Sequence, residues 1–375
     1  MTHDELAQRL AGQVTHPASR WRPIVAAMPR HNFVPAWWEH DGVKAWHRRD
    51  ATTSPQAPYK DRTLITQAGT SHADLAAPGD TAEGPATSSS TKPSLVVAMY
   101  QHAMIQDHLD VLDIGTGTGY GCALLTARLG NQHVTSIDVD PYLVVAATGR
   151  LDDIGLNPAL KMADATAPLD GQWDRVVSMT SVAPIPASWL AALNPGGRIV
   201  TTITGTGLLI TADRTPDGGA TGRAEWYRAG FMPSRTGPGY PPPLMDAHPE
   251  AHDAEGDTSN GRYPVVNVAN AWELRSMLGI TLPGTETHYE EHDGQRTAWL
   301  IHPDGSWARA TAQGDDPPRI HQAGPRRLWE HLDRLRTQWL SQGGLTAYGS
   351  DITITPDGTI TFTWGKWNAT IPATT

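Results

Sequence analysis

The stretch VLDIGTGTGYG, Val111–Gly121, constrains this chain more than any other. An apolar run ends in Asp113 and Ile114, Gly115, Gly117 and Gly119 alternate with Thr116 and Thr118, and an apolar segment with helical spacing follows. A strand that passes into a helix through glycines lets a ligand approach the backbone closely, and the helix start presents free N–H groups. The dinucleotide fingerprint places its third glycine five positions after the first. Tyr120 stands there instead, and Asp113 precedes the turn. A carboxylate at that place repels a pyrophosphate and suits the ammonium of an amino-acid moiety, such as the one S-adenosylmethionine carries.

Two more acids close the strands that follow. Asp138 ends the run SID, where a carboxylate can accept both hydroxyls of a ribose, and Val139 stands next to it. Asp164, beside Ala165, is placed to meet an adenine amino group; taken alone, it also fits a polar strand end near solvent. Around these acids the pattern predicts helices over 94–106, 119–129, 141–154 and 186–193. Strands are expected over 109–114, 133–138, 159–164, 173–179 and 198–203. Such alternation implies an α/β fold with a doubly wound, Rossmann-like parallel sheet. Further strands are expected over 208–214 and 222–227.

The flanks are less regular. Residues 1 to about 50 look helical, 66–90 is small, polar and loop-like, and the Pro-, Gly- and Asp-rich 233–264 reads as a linker or surface excursion. Beyond it, hairpins around Asp-Gly turns over 297–311 and 351–367 flank a helix over 325–340. With 375 residues, 39% of them hydrophobic, the chain is long enough for two domains. The division expected is a domain over 1–236, a linker over 237–264 and a C-terminal α+β module over 265–375.

A formal charge of −10 and the lack of a long Lys/Arg run argue against nucleic acid as a partner. No window approaches the ~20 apolar residues of a membrane span. Cys122 is the one cysteine, which fits a reducing compartment, the cytoplasm, and reads as a buried small hydrophobe. None of the 16 histidines shows a metal-ligand spacing, so no metal is expected. Trp21, Trp37, Trp38 and Trp46 read as core rather than as a peptide groove. Arg326 and Arg327 fit an exposed helix face nearly as well as a site for an acidic peptide.

The segment TSSSTKPSLVVAM, Thr87–Met99, places five hydroxyls before Pro93. An N-cap accounts for one of them. Five in succession look more like a polar surface that faces something, but on the residues alone the cap is the favoured reading.

With these elements the chain resembles the protein-L-isoaspartate O-methyltransferase family, through PRHNFVP (29–35), TSSSTKPSLVVAM (87–99), VLDIGTGTGYG (111–121), VTSIDVDP (134–141) and 173–200. The resemblance implies a class I methyltransferase sheet and S-adenosylmethionine bound by Asp113, Gly115–Gly119, Asp138, Val139, Asp164 and Ala165. It implies an essential hydroxyl two residues before the proline, at Thr91, with Ser90 as its fallback. It also implies a substrate loop over 60–92, in which Ser88, Ser89, Ser90 and Thr91 contact the substrate while Pro93 and Ser94 cap the helix. The family usually has serine at position 91 and a more apolar stretch before it. In its polyserine loop and long tail the chain is similar to a subgroup associated with ribosomally made peptides of the graspetide and lanthipeptide kinds, the graspetide branch above all. Those relatives methylate an aspartate of a macrocyclised precursor peptide, and the ester collapses to an aspartimide. General isoaspartate repair and a non-catalytic binding module are the alternatives.

Overall fold

The computed structural model describes residues 1–42, 45–237, 239–341 and 347–373. Residues 43–44, in the stretch expected to be helical, Pro238, in the expected linker, and 342–346 and 374–375, in the expected C-terminal module, lie outside the described residues. Val111–Ile114 is the central one of five parallel strands in a ten-stranded sheet. Trp173–Val182 and Leu193–Ile203 run parallel to it on one side, and Val134–Asp138 and Ala159–Met162 on the other. The helices Pro93–His102, Tyr120–Leu129, Pro141–Asp152 and Ala187–Ala191 fall where the alternation put them.

Alternate residues of these strands serve two cores, as a period of two dictates. Val111, Val134, Val177 and Val200 pack on one face with Tyr100, Leu124 and Leu125. Leu112, Ile137, Val176 and Ile199 pack on the other with Trp189 and Leu190. Burial on both faces explains why these strands read as apolar runs. Cys122, Trp21, Trp37 and Trp38 are buried as expected, while Trp46 is half-buried.

Past Leu193–Ile203 the sheet continues antiparallel through Leu208–Arg214 and Ala220–Arg228. Asp351–Ile354 pairs next, then Ile360–Trp364 and Trp367–Ile371. The expectation of one C-terminal module over 265–375 is corrected here: its last three strands complete the main sheet, and Ile352, Ile354, Ile360, Phe362 and Ile371 enter the Trp189 core. A second, five-stranded antiparallel sheet lies between, in the order Asp257–Asn260, Arg319–Ala323, Trp307–Gln313, Gln295–Ile301, Glu286–His292. Its first strand comes from the expected linker. The helices Trp272–Thr281 and Leu328–Ser341 bury Leu274, Met277, Leu328 and Leu332 in the core they share with both sheets.

The N-terminal part differs more from expectation. His3–Val14, Arg22–Ala27 and Arg30–Phe33 are helical, but Ala36–His40 and Trp46–Asp50 are paired strands. The expected loop over 66–90 begins inside the strand Leu64–Ala68 and ends with the strand Ala86–Ser90, which pair antiparallel with each other in a six-stranded sheet. A run of Ser and Thr has no apolar alternation to announce a strand; its partner strand supplies the order. The cap of Pro93–His102 is also not local. Its Ser94 amide donates to Asp61 Oδ1 at 2.8 Å, so Asp61 caps the helix and the Ser94 hydroxyl does not. Among the described residues no helix is long and apolar enough to cross a membrane.

Candidate active site

A cavity opens at the carboxyl ends of the parallel strands, where ligands of open α/β sheets bind. Asp113, Gly115, Thr116, Gly117, Thr118, Asp138, Val139, Asp164 and Ala165 border it on one side, and Thr87 to Thr91 border it on the other. Gly119 lies outside its wall. That glycine has φ +88°, and a Cβ on it would lie 3.0 Å from Ala147 Cβ, so it serves helix packing. Gly115 also has φ +88°, and a Cβ there would stand 3.0 Å from Thr180 Cγ2.

The acids are tied to the turn. Asp138 Oδ2 accepts from the Gly117 amide at 2.9 Å, and Oδ1 accepts from the Asp140 amide at 3.0 Å. Each oxygen keeps a further lone pair. Burial raises the Asp138 pKa, and the two amides oppose the rise. Asp113 is 1% exposed. Its Oδ2 accepts from the Ser136 hydroxyl at 2.7 Å, so Thr116, 2.7 Å from the same hydroxyl, donates to Ser136. Asp113 Oδ1 has no partner among the described residues, and burial pushes the carboxyl up to about 7. Asp164 is half-buried, and its Oδ1 is taken by the Thr166 amide and hydroxyl at 2.8 and 2.7 Å.

On the hydroxyl strand the side chains divide. Thr87 Oγ1 donates to the Gly69 carbonyl at 2.7 Å, Ser88 Oγ accepts from Thr66 at 3.4 Å, and Ser90 Oγ accepts from Arg30 Nη2 at 3.2 Å. The hydroxyls of Ser89 and Thr91 have no hydrogen bond among the described residues. Thr91, half-buried at the cavity, is therefore the unengaged hydroxyl two residues before Pro93, whereas Ser90 is 2% exposed and held by Arg30.

Arg30 was not singled out in the sequence. Fully buried, it donates to the carbonyls of Pro58, Lys60, Arg62, Ser90 and Thr91, and its guanidinium carbon lies 5.3 Å from the centre of the Tyr120 ring. An arginine inside the otherwise apolar entry to PRHNFVP was the available signal. The wall over 230–235 was missed too. It is anchored by Ser181, whose amide donates to the Met232 carbonyl at 2.9 Å and whose carbonyl accepts from the Ser234 amide at 2.8 Å.

A model of the family described as Protein-L-isoaspartate(D-aspartate) O-methyltransferase (PCMT) matches residues 24–225. The chain belongs to this family. Protein-L-isoaspartate O-methyltransferase 1 of Syntrophobacter fumaroxidans is 34% identical over 113 residues, 29% of this chain and 52% of that protein. A protein-L-isoaspartate O-methyltransferase of Anaeromyxobacter dehalogenans is 30% identical over 173 residues, 44% of this chain and 77% of that protein. The chain spans about half the length of the first curated relatives it matches. A solved protein-L-isoaspartate O-methyltransferase shares the fold with a TM-score of 0.52 at 16% identity, over 98% of this chain and 99% of that one.

The residues present fit S-adenosylmethionine, the methyl donor this family's chemistry requires. Asp113 offers a buried acceptor that lacks a donor, which an ammonium supplies. Asp138 has acceptor capacity left on both oxygens, as a ribose needs.

Proposed function

We propose that this isoaspartyl methyltransferase-family protein transfers a methyl group from S-adenosylmethionine to an aspartate-type carboxylate in a peptide. The observation that carries the reading is the cavity itself, which has the acid-lined glycine turn on one wall and the unengaged Thr91 hydroxyl on the other. The cofactor would supply an electrophilic methyl on a sulfonium, whose carbon–sulfur bond breaks with its electron pair going to sulfur, so that a neutral thioether leaves as the carboxylate takes the methyl. A carboxylate is already ionised near neutral pH, so no general base is needed; alignment and partial exclusion of water supply the catalysis. Thr91 donates to one carboxylate oxygen and leaves the other free to form the new bond to carbon, while Ser88 and Ser90 hold the strand in place.

The substrate we propose is an aspartate side chain in a ribosomally made, macrocyclised peptide of the graspetide kind, whose methyl ester closes to an aspartimide as the next residue's amide nitrogen displaces methanol. The unengaged hydroxyls of Ser89 and Thr91, both at the cavity and in a stretch richer in hydroxyls than the family's usual loop, support it. Isoaspartate repair in damaged proteins is the second reading. The match over 24–225 supports it, and so does the solved relative whose likeness spans the C-terminal strands. Turnover of a short isoaspartyl peptide and of a macrocyclic aspartyl peptide separates the two. Robust methylation of the isoaspartyl peptide alone would remove the first reading.

A further inference from the structure

The two ends of the cavity differ in charge. Its acids, Asp113, Asp138 and Asp164, all belong to the strand ends, whereas the end bordered by Thr63 and Thr91 has none. Two segments run side by side there. Ser90 pairs with Leu64, and the Lys92 amide donates to Thr63 Oγ1 at 3.2 Å. Beneath them Arg30 holds the carbonyls of Lys60, Arg62 and Thr91 and forms no ion pair among the described residues. The rim is set by chain neighbours of these lining residues: Lys92, half-buried, follows Thr91 directly, Arg62 precedes Thr63, and Lys60, three residues before Thr63, is exposed; neither lysine is in an ion pair among the described residues, and Arg62 pairs with Glu39 at 3.6 Å. Arg30, Arg49, Lys60, Arg62 and Lys92 thus outnumber Asp4, Asp61 and Glu39 around these segments, in a chain of formal charge −10 with five lysines in all.

We propose that this rim recognises an acidic peptide segment, one in which a further Asp or Glu flanks the carboxylate to be methylated and pairs with Lys60 or Lys92. The proposal rests on the carboxyl methyltransferase reading above and adds its substrate class. Arg30 is a positioning residue: buried under both segments, it fixes the backbones that carry the two lysines. A polyanion such as nucleic acid fits less well, because the rest of the molecule is acidic.

The test uses the full chain saturated with S-adenosylhomocysteine and two peptides in which asparagine replaces the acceptor aspartate, one flanked by Glu and one by Gln. Calorimetry should show the Glu-flanked peptide binding about three- to tenfold more tightly at low salt, with the difference shrinking as salt rises. A Lys60→Gln/Lys92→Gln variant should lose the difference and keep its affinity for S-adenosylhomocysteine. Equal affinities, or no binding of either peptide, would overturn the proposal. So would a single-stranded oligonucleotide that binds the same lysines more tightly than the acidic peptide does. The carboxyl methyltransferase reading fails separately, if no aspartyl or isoaspartyl peptide is methylated whatever its flanks.

Discussion

The Gly117 amide donates to the Asp138 carboxylate at 2.9 Å, so the acid that closes one strand holds the glycine turn of its neighbour. Asp138→Ala should therefore both loosen the turn and remove the ribose acceptor. The expected loss in affinity for S-adenosylhomocysteine is about 1–3 kcal/mol, read by calorimetry. Unchanged affinity would place the ribose elsewhere.

Thr91→Ala should leave that affinity intact and lower turnover on a bound peptide roughly 10²-fold, the effect of losing one alignment contact. Thr91→Ser should retain most of the activity. Ser90→Ala removes one acceptor of Arg30 and should cost about 1 kcal/mol of stability with little change in turnover. The reverse pattern, an active Thr91→Ala and an inactive Ser90→Ala, would move the essential role to Ser90.

Arg30→Met should be among the most damaging single changes outside the cavity wall. It leaves the Pro58, Lys60, Arg62, Ser90 and Thr91 carbonyls without their donor, at a loss of about 3–5 kcal/mol in thermal or urea unfolding. A variant as stable as the parent would show that water replaces the guanidinium.

Burial holds the Asp113 carboxyl up at about 7, far above its unfolded value. The protonated form is therefore favoured by folding: the contribution is fully present below about pH 4 and is lost as pH rises toward 7. Ligand binding should follow the opposite course, since an ammonium beside Oδ1 selects the carboxylate. Affinity for S-adenosylhomocysteine should rise about tenfold per pH unit up to about 7 and then level off. Asp113→Asn should flatten that profile, and an unchanged profile would exclude Asp113 as the titrating group.

A fragment of residues 1–264 should not survive as a soluble domain. It lacks Ile352, Ile354, Ile360, Phe362 and Ile371 from the main core, a loss of roughly 1.5–3 kcal/mol for each side chain against a total stability of ~5–15 kcal/mol. Size-exclusion chromatography that finds a folded monomer would contradict this.

The parallel half of the fold was legible because both its faces are buried and its turn requires glycine, so apolar runs and Gly115 stand out in one dimension. Asp138 was legible for the same reason, as an acid at the end of such a run. The strand Ala86–Ser90 was not, since the hydroxyls of Thr87, Ser88 and Ser90 are satisfied by Gly69, Thr66 and Arg30, partners about 20 to 60 positions away. Asp61 as the cap of the helix at Pro93 was hidden likewise, because a cap supplied from another loop leaves no local pattern. Asp351–Ile354 reads as half of a hairpin in the sequence, and only the chain's path shows that its other edge meets Ala220–Arg223.

That pairing has a consequence for synthesis on the ribosome. The strand Ala220–Arg228 emerges about 120 residues before its outer neighbour, an interval of roughly 6–24 s at ~5–20 residues per second. Throughout it the growing chain presents an unpaired edge, the kind of surface that recruits other chains. The five-stranded sheet is translated within that interval, so the insertion is complete before its host can close. Nascent chains stalled near residue 300 should accordingly be cut by protease around 220–228, where released chains resist.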